Sequence, residues 1–506
     1  MDNLVSALDY LKMTAWQKFC YKFAAFFKSI PVVFLNFFRK TIPSLAKRFW
    51  NAVANCGITV GRAVKYGDWK TRLSFVFFGF SQLARKQWLR GLLFLVFEIA
   101  FILYMALFGG QYLGLLGSLG HIEMGEYEDE WGNILYTEGD NSLLILLYGL
   151  LTIIFIITFV YAWYRNIKSA YYTQQLVEAR KGLATAKEDM NALLNEQYHK
   201  TLLGIPLAGL TIFTILPIIF MIFLAFTNYD ENHMPPAKLF QWIGWDNFVK
   251  VFGGSLAGAD SFGYTFAHIL MWTVIWAFFA TFSNYILGMI VAILINKKGI
   301  RCKKLWRTVL VMTIAVPQFV SLLLMSQMLA DEGAINNLLL SWGWIREPLP
   351  FLSNATFAKV TVIVVNIWVG IPYSMLICTG ILLNIPEDLY ESARIDGAGP
   401  VRAFFKITLP YMIHVTAPYL ITQFIGNLNN FNVIYLLTGG LPRTSDFTGN
   451  AGETDLLITW LYKLVMERQE YGLASVISIL MFVITAVVSL VVYNKSGSVK
   501  NEEDFM

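Results

Sequence analysis

Apolar and polar positions along this chain fall into long blocks. Runs of about 20 or more mostly apolar residues, enough to cross a hydrocarbon core, recur at 91–119, 142–164, 202–227, 264–295, 305–330, 358–383, 411–438 and 472–493. The pattern predicts an all-α integral membrane protein, a polytopic bundle of about eight transmembrane helices. The gap between the sixth and seventh runs differs from the others. It is a charged segment punctuated by glycine and proline, YESARIDGAGPVRAFFKITLP over 390–410.

Composition agrees with the blocks. Of 506 residues, 56% are hydrophobic and 14% charged, where a soluble domain carries about a quarter charged. The net charge of +5 hides an asymmetry, because residues 1–90 hold 15 Lys and Arg against 3 acids. Basic residues close to span ends stay in the cytoplasm. This places the cluster Lys297, Lys298, Arg301, Lys303, Lys304 and Arg307 inside, with Arg165, Lys168, Arg180, Lys181 and Lys187. The stretch 120–141 has seven acids and no Lys or Arg and should face outward. Eight spans then put both termini and 384–410 on the cytoplasmic side of a cell membrane. The four cysteines, Cys20, Cys56, Cys302 and Cys378, form no disulfide framework or zinc spacing.

Four regions follow. Residues 1–90 form a basic amphipathic cytoplasmic region in which Phe19, Phe23, Phe26 and Phe27 oppose Lys18, Lys22 and Lys28, as on a helix lying on anionic lipid; the competing reading is a domain packed against the body of the spans. No nucleic-acid motif accompanies that charge. Residues 91–200 supply two spans and a cytoplasmic helical connector with a break at Gly182. Residues 201–495 form the transmembrane core with the polar loop 385–410, and 496–506 are a cytoplasmic tail. Within 453–470, Leu456, Leu457, Trp460, Leu461 and Leu464 recur at helical spacing. The segment is too short to span, and reads as an outer-face interfacial helix with Trp460 and Tyr462 at headgroup depth.

The loop has its own chemistry. Pro386, Glu387 and Asp388 suit a first helical turn, where proline loses nothing and acids meet the positive end of the dipole. Leu389 and Ala393 share a face. Asp396-Gly397 closes the helix, since glycine tolerates the left-handed conformation found there. Gly399-Pro400 starts a second short helix through Val401, Phe404 and Phe405. Small residues at Ser392, Ala393, Gly397, Ala398 and Gly399 leave a surface open to close approach.

The order E-S-A-x-x-D-G-A-x-x-x-x-x-F-x-x-I-x-L-P closely resembles the EAA loop of bacterial ABC-importer permeases. The resemblance implies that Glu391, Ser392, Ala393, Asp396, Gly397 and Ala398 couple the chain to a cytoplasmic ATPase. Glu391 matches the motif glutamate, Gly397 the motif glycine, and Ser392 replaces the usual alanine. Residues 264–442 look like the larger (F-type) permease of maltose/maltodextrin transporters, through Ala315-Val316-Pro317, 366–373 (NIWVGIPY), 427–431 (NLNNF) and 436–440 (LLTGG). That likeness implies a binding-protein-dependent importer of oligosaccharides, most simply maltodextrins, with galacto-oligosaccharides as the alternative. Its partners would be a second, G-type permease, an ATPase dimer holding ATP and Mg, an extracytoplasmic sugar-binding protein, the sugar, and membrane lipid.

Polar groups inside spans are costly in lipid and generally face a bundle interior or a watery path. Asn366, Tyr373, Asn427 and Asn430 are such groups, and amides with rings suit a neutral sugar. The resemblance implies a substrate path of Asn366, Gly370, Tyr373, Asn427 and Asn430. Gln318 and Gly426 stand where the family's maltose site has serine and a stacking phenylalanine. Glu98, His268 and Asn284 are single in the sequence and read as structural or interfacial. The chain has no phosphate loop of the G-x-x-x-x-G-K-[ST] type, so ATP would be bound elsewhere; with the resemblance, this implies a transporter subunit rather than an enzyme. An ion-coupled transporter would call for paired intramembrane charges, and an enzyme for a clustered constellation; five scattered histidines supply neither.

Overall fold

The computed structural model describes residues 39, 42–128, 131, 134–196, 198–253, 261–297 and 299–495. The basic-aromatic run around Phe19–Phe27 and the tail 496–506 lie outside the described residues. Two compact units divide the chain at Asn247 and Phe248. Among the described residues, six helices are long and apolar enough to cross a membrane, and one further pair is sharply bent.

The first unit contains α1 (Ile42–Tyr66), α2 (Trp69–Leu73), α3 (Phe80–Ala84), α4 (Trp88–Tyr104) and α5 (Gly110–Leu115). A short antiparallel hairpin follows, β1 (Gly125–Glu128) with β2 (Ile134–Thr137), inside the acidic stretch. Next come α6 (Ser142–Glu178), α7 (Ala186–Leu194), α8 (Tyr198–Leu210) and α9 (Leu216–Leu224). The span formed by α8 and α9 lies in the same unit as the first two spans. Its Leu216 and Leu224 pack with Ile145, Leu146 and Leu150 of α6. The connector breaks where expected, between α6 and α7, with Thr185 and Glu188 forming a reciprocal cap on α7.

Residues 66–90 do not form a simple surface helix. Their backbone is tied to the spans by polar side chains. Glu98 of α4 accepts from the Phe78 N–H at 2.9 Å. Asn166 of α6 accepts from Gly79 N–H at 3.0 Å and donates to the Ser74 carbonyl at 2.8 Å. Asp68 caps α2 through the Thr71 N–H and pairs with Arg85 at 2.7 Å. Burial alone would raise the Asp68 carboxyl, but these donors outweigh it and hold it below its ordinary value.

After α10 (Asp246–Gly253), the second unit runs through α11 (Phe262–Asn296), α12 (Lys303–Met312), α13 (Gln318–Met328), α14 (Ala334–Ser341), α15 (Ala355–Leu382), α16 (Glu387–Ile395), α17 (Pro400–Ala403), α18 (Leu409–Leu428), α19 (Phe431–Leu437), α20 (Leu457–Met466) and α21 (Tyr471–Lys495). The run 305–330 is not one straight helix: α12, with its 3₁₀ extension, and α13 meet at 86°. Pro317 lacks the N–H that would continue the ladder and holds Val316 extended. The run 411–438 likewise stops at Asn429, and Asn430 begins α19 by accepting from the Val433 N–H.

Two cores stack along α11 and α15. One joins Trp272, Trp276 and Ala280 with Val362, Val365, Val433 and Ile434. The other joins Tyr285, Met289 and Ala292 with Met375, Cys378 and Met412. Gly288 lets the helices touch, since a Cβ there would strike Ser374 and the Met375 backbone.

The expectation of a lipid-facing helix at 453–470 is corrected. Trp460 of α20 is fully buried, and its indole N–H donates to the Gly449 carbonyl at 3.1 Å. Lys463 and Asp455 are buried at 2% and 0% exposure and pair at 2.6 Å. The apolar stripe of α20 packs on protein, and Lys463 of that helix meets the preceding Asp455 in an ion pair that suits a protein interior and not lipid. His268 is not isolated either: with Lys359 it approaches Glu453, at 3.6 and 2.6 Å.

Candidate functional site

The polar loop folds as its residues dictate. Glu387 and Asp388 lie in the first turn of α16. The helix ends in a Schellman arrangement, with Ala398 N–H donating to the Ala393 carbonyl at 2.8 Å and Gly397 N–H to Arg394 at 3.0 Å. Gly397 has φ of 72°, the conformation its position requires. The expected second short helix is not separate. α17 passes through a π turn at Phe404–Thr408 straight into α18, because nothing between Pro400 and Pro410 breaks the chain. The Tyr390 and Thr408 hydroxyls, 2.8 Å apart, tie the two arms together.

Glu391, Ser392, Asp396 and Gly397 are exposed, and Ala393 and Ala398 are half-buried. Beside them Leu389, Ile395, Val401 and Phe405 present apolar side chains to the outside, Ile395 being 86% exposed. Charged and small residues are thus interleaved with uncovered apolar ones on this surface.

Between the two cores lies a cavity of about 310 Å³. Asn366, Gly370 and Tyr373 reach it from α15 at i, i+4 and i+7. Asn427 comes from the end of α18, Asn430 from the cap of α19, and Gln318 from the first residue of α13. The six residues anticipated for a substrate path therefore line one space. Five other polar residues escaped the sequence reading: Thr281 and Asn284 on α11, Ser374 on α15, and Tyr419 and Gln423 on α18. The spacing 419, 423, 427 is one helical face, so a search for polar i, i+4 ladders would have found the last two. Gly426 is absent from the lining, and a Cβ there would meet nothing within 4 Å. The rings available in the cavity are Tyr373 and Tyr419.

The lining holds no Asp, Glu, Lys, Arg or His. Asn427 donates to Thr281 Oγ1 at 3.0 Å and accepts from Asn430 at 3.2 Å. The Trp276 indole donates to the Asn427 carbonyl at 3.1 Å. Pro372 and Pro418 lie inside α15 and α18, so these two cavity helices each lack a backbone hydrogen bond near the site.

Comparison with known proteins gives this arrangement a context. Residues 284–496 match the family described as binding-protein-dependent transport system inner membrane component. The chain is 36% identical to the galactooligosaccharides transport system permease protein GanP of Bacillus subtilis, over 84% of this chain and 96% of that one. It is 34% identical to the maltodextrin transport system permease protein MalC of Streptococcus pneumoniae, over 84% and 95%. With the maltose/maltodextrin permease MalF of Escherichia coli the identity is 38%, over 52% and 51%. A bacterial ABC transporter involved in alginate import shares the fold at TM-score 0.50 and 22% identity, over 61% of this chain and 97% of that one. The chain is a multi-pass membrane protein and belongs to the binding-protein-dependent transport system inner membrane component family, as an ABC-importer permease subunit akin to the larger maltose/maltodextrin permeases.

Proposed function

We propose that this chain forms half of the translocation path of an ATP-driven, binding-protein-dependent importer of neutral oligosaccharides, with maltodextrins as substrate. The observation that carries the reading is the cavity between the two cores. It offers amides and two tyrosine rings and no fixed charge, which suits a sugar's hydroxyls and apolar faces. Asn366, Gly370, Tyr373, Asn427, Asn430 and Gln318 would line the path. Glu391, Ser392, Ala393, Asp396, Gly397 and Ala398 would dock on a cytoplasmic ATPase dimer, which binds ATP and Mg and performs hydrolysis. A G-type permease would complete the pore, and an extracytoplasmic binding protein would deliver sugar. Both termini would be cytoplasmic.

Tyr373 lies nine residues before the end of α15 at Leu382, roughly 14 Å of helix. Motion of α16 against an ATPase thus has a short, stiff route to the cavity. Galacto-oligosaccharides are a second reading, favoured by the similarity to GanP and by the missing ring at Gly426. The test is uptake of labelled maltotriose into proteoliposomes holding the complete transporter, with competing maltodextrins and galacto-oligosaccharides. Uptake should require ATP and persist when ion gradients are collapsed. Loss of uptake on collapsing the gradients, with ATP present, would overturn the reading.

A further inference from the structure

We propose that Asn284 recognises substrate hydroxyls, acting with Asn366 as the specificity-determining pair of the cavity. This rests on the oligosaccharide reading above and goes beyond it, since the sequence suggests only a structural or interfacial role for Asn284.

The asparagines of the cavity divide into two kinds. Asn427 and Asn430 are engaged with Thr281 and with each other. Their amides form a wall whose hydrogen-bonding capacity is largely used. The other two are different. Asn284 Oδ1 and Asn366 Nδ2 are both buried with no protein hydrogen-bond partner, and both residues line the cavity. Buried polar atoms are almost always partnered, and an exception calls for an explanation.

Gly370 supplies a second, independent observation. A Cβ at that position would collide with the Asn284 carboxamide, approaching its Cγ to 2.6 Å. The α15 backbone is therefore bare where Asn284 of α11 lies across it. Asn366 is one turn earlier on the same helix, so both orphaned groups face the cavity from the α11–α15 wall. One is an acceptor and the other a donor. A hydroxyl both donates and accepts, so adjacent hydroxyls of a pyranose ring satisfy the pair together. An apolar solute would leave both unmet, and a charged one would find no counter-ion in the lining.

A site built to hydrogen-bond a hydroxyl rejects an analogue lacking it far more strongly than an apolar pocket can. The experiment measures ATP-dependent uptake of maltotriose, galactotriose and their singly deoxygenated analogues by the complete transporter with a fixed binding protein. In the wild type at least one deoxy position should lower uptake efficiency by about tenfold, equivalent to about 1.4 kcal/mol. Asn284→Ala should reduce that discrimination to about twofold or less, and Asn284→Ser should retain part of it. Gly370→Ala should mimic Asn284→Ala, because it displaces the carboxamide. Dividing variant by wild-type ratios removes the binding protein's own preference, which is common to both. Unchanged discrimination at every position in both Asn284 variants would overturn the proposal. Absence of wild-type uptake of either trisaccharide would instead overturn the oligosaccharide reading.

Discussion

The polar loop proposed for coupling and the cavity belong to the same compact unit, yet they are specified in opposite ways. The segment is local. Some twenty consecutive residues carry its helix start, its left-handed glycine and its exposed apolar side chains, and no distant residue is needed to shape its turn. The cavity is non-local, drawing single residues from α11, α13, α15, α18 and α19. Its existence depends on two cores that pack above and below it and leave a gap between residues 280 and 285 of α11. A surface for another protein can be encoded in one stretch. A space for a small molecule has to be enclosed from several sides.

Substitutions can separate the two regions if general damage is recognised first. The largest stability effect should come from Lys463→Met, which leaves Asp455 buried and unpaired. A loss of roughly 3–5 kcal/mol is expected, visible as a lower melting temperature of the purified protein. If that variant melts like the wild type, the buried pair is not a structural anchor. It sets the scale for mere unfolding.

Gly397→Asp should come next in effect and should act differently. The Cβ meets no neighbour, so the strain is that of a left-handed residue, about 1 kcal/mol. Membrane insertion should be normal while ATP-dependent uptake falls more than tenfold, as it should for Glu391→Lys. Wild-type uptake in both variants would remove the segment from coupling and break the comparison.

Asn427→Ala should be milder. It unties Thr281 and Asn430, a disturbance of about 1–3 kcal/mol, and should weaken sugar handling without preventing assembly. Normal uptake kinetics across an oligosaccharide panel would remove Asn427 from the path.

The smallest effect concerns pH. The His121 and Ile122 N–H groups hold the Asp140 carboxyl below its ordinary value. A lowered folded value stabilises the protein above the unfolded value, near 4, and that contribution is lost as pH falls through the folded value. The melting temperature should therefore drop slightly in acid, and less so in Asp140→Asn. The cavity lining has no carboxylate or histidine, so sugar transported per ATP should stay level over the same range.

The same contrast explains what could be read in advance. The loop's helix start, its turn at Gly397 and the break before α7 follow from short-range chemistry, and the sequence displays them. Asn366, Gly370 and Tyr373 were legible because they share one helical face and a family resemblance. Asn284 was not, because its meaning depends on the bare backbone at Gly370 in another helix. Trp460 was misread for a related reason. A stripe of Leu and Trp looks the same whether lipid or protein covers it, and the burial of Trp460 with the Asp455–Lys463 pair shows that protein does. The bend at Pro317 and the stop at Asn429 interrupt apolar runs whose hydropathy alone suggests continuous spans.

The central claim is that the cavity holds sugar while the segment transmits ATP-driven motion. It is tested most directly by counting labelled maltotriose molecules imported per ATP hydrolysed in Asn366→Ala and Gly397→Asp transporters. The account predicts that Asn366→Ala lowers the ratio, because hydrolysis continues while sugar is held poorly. Gly397→Asp should lower both rates in proportion and leave the ratio at the wild-type value. A lowered ratio in Gly397→Asp together with an unchanged one in Asn366→Ala would contradict it.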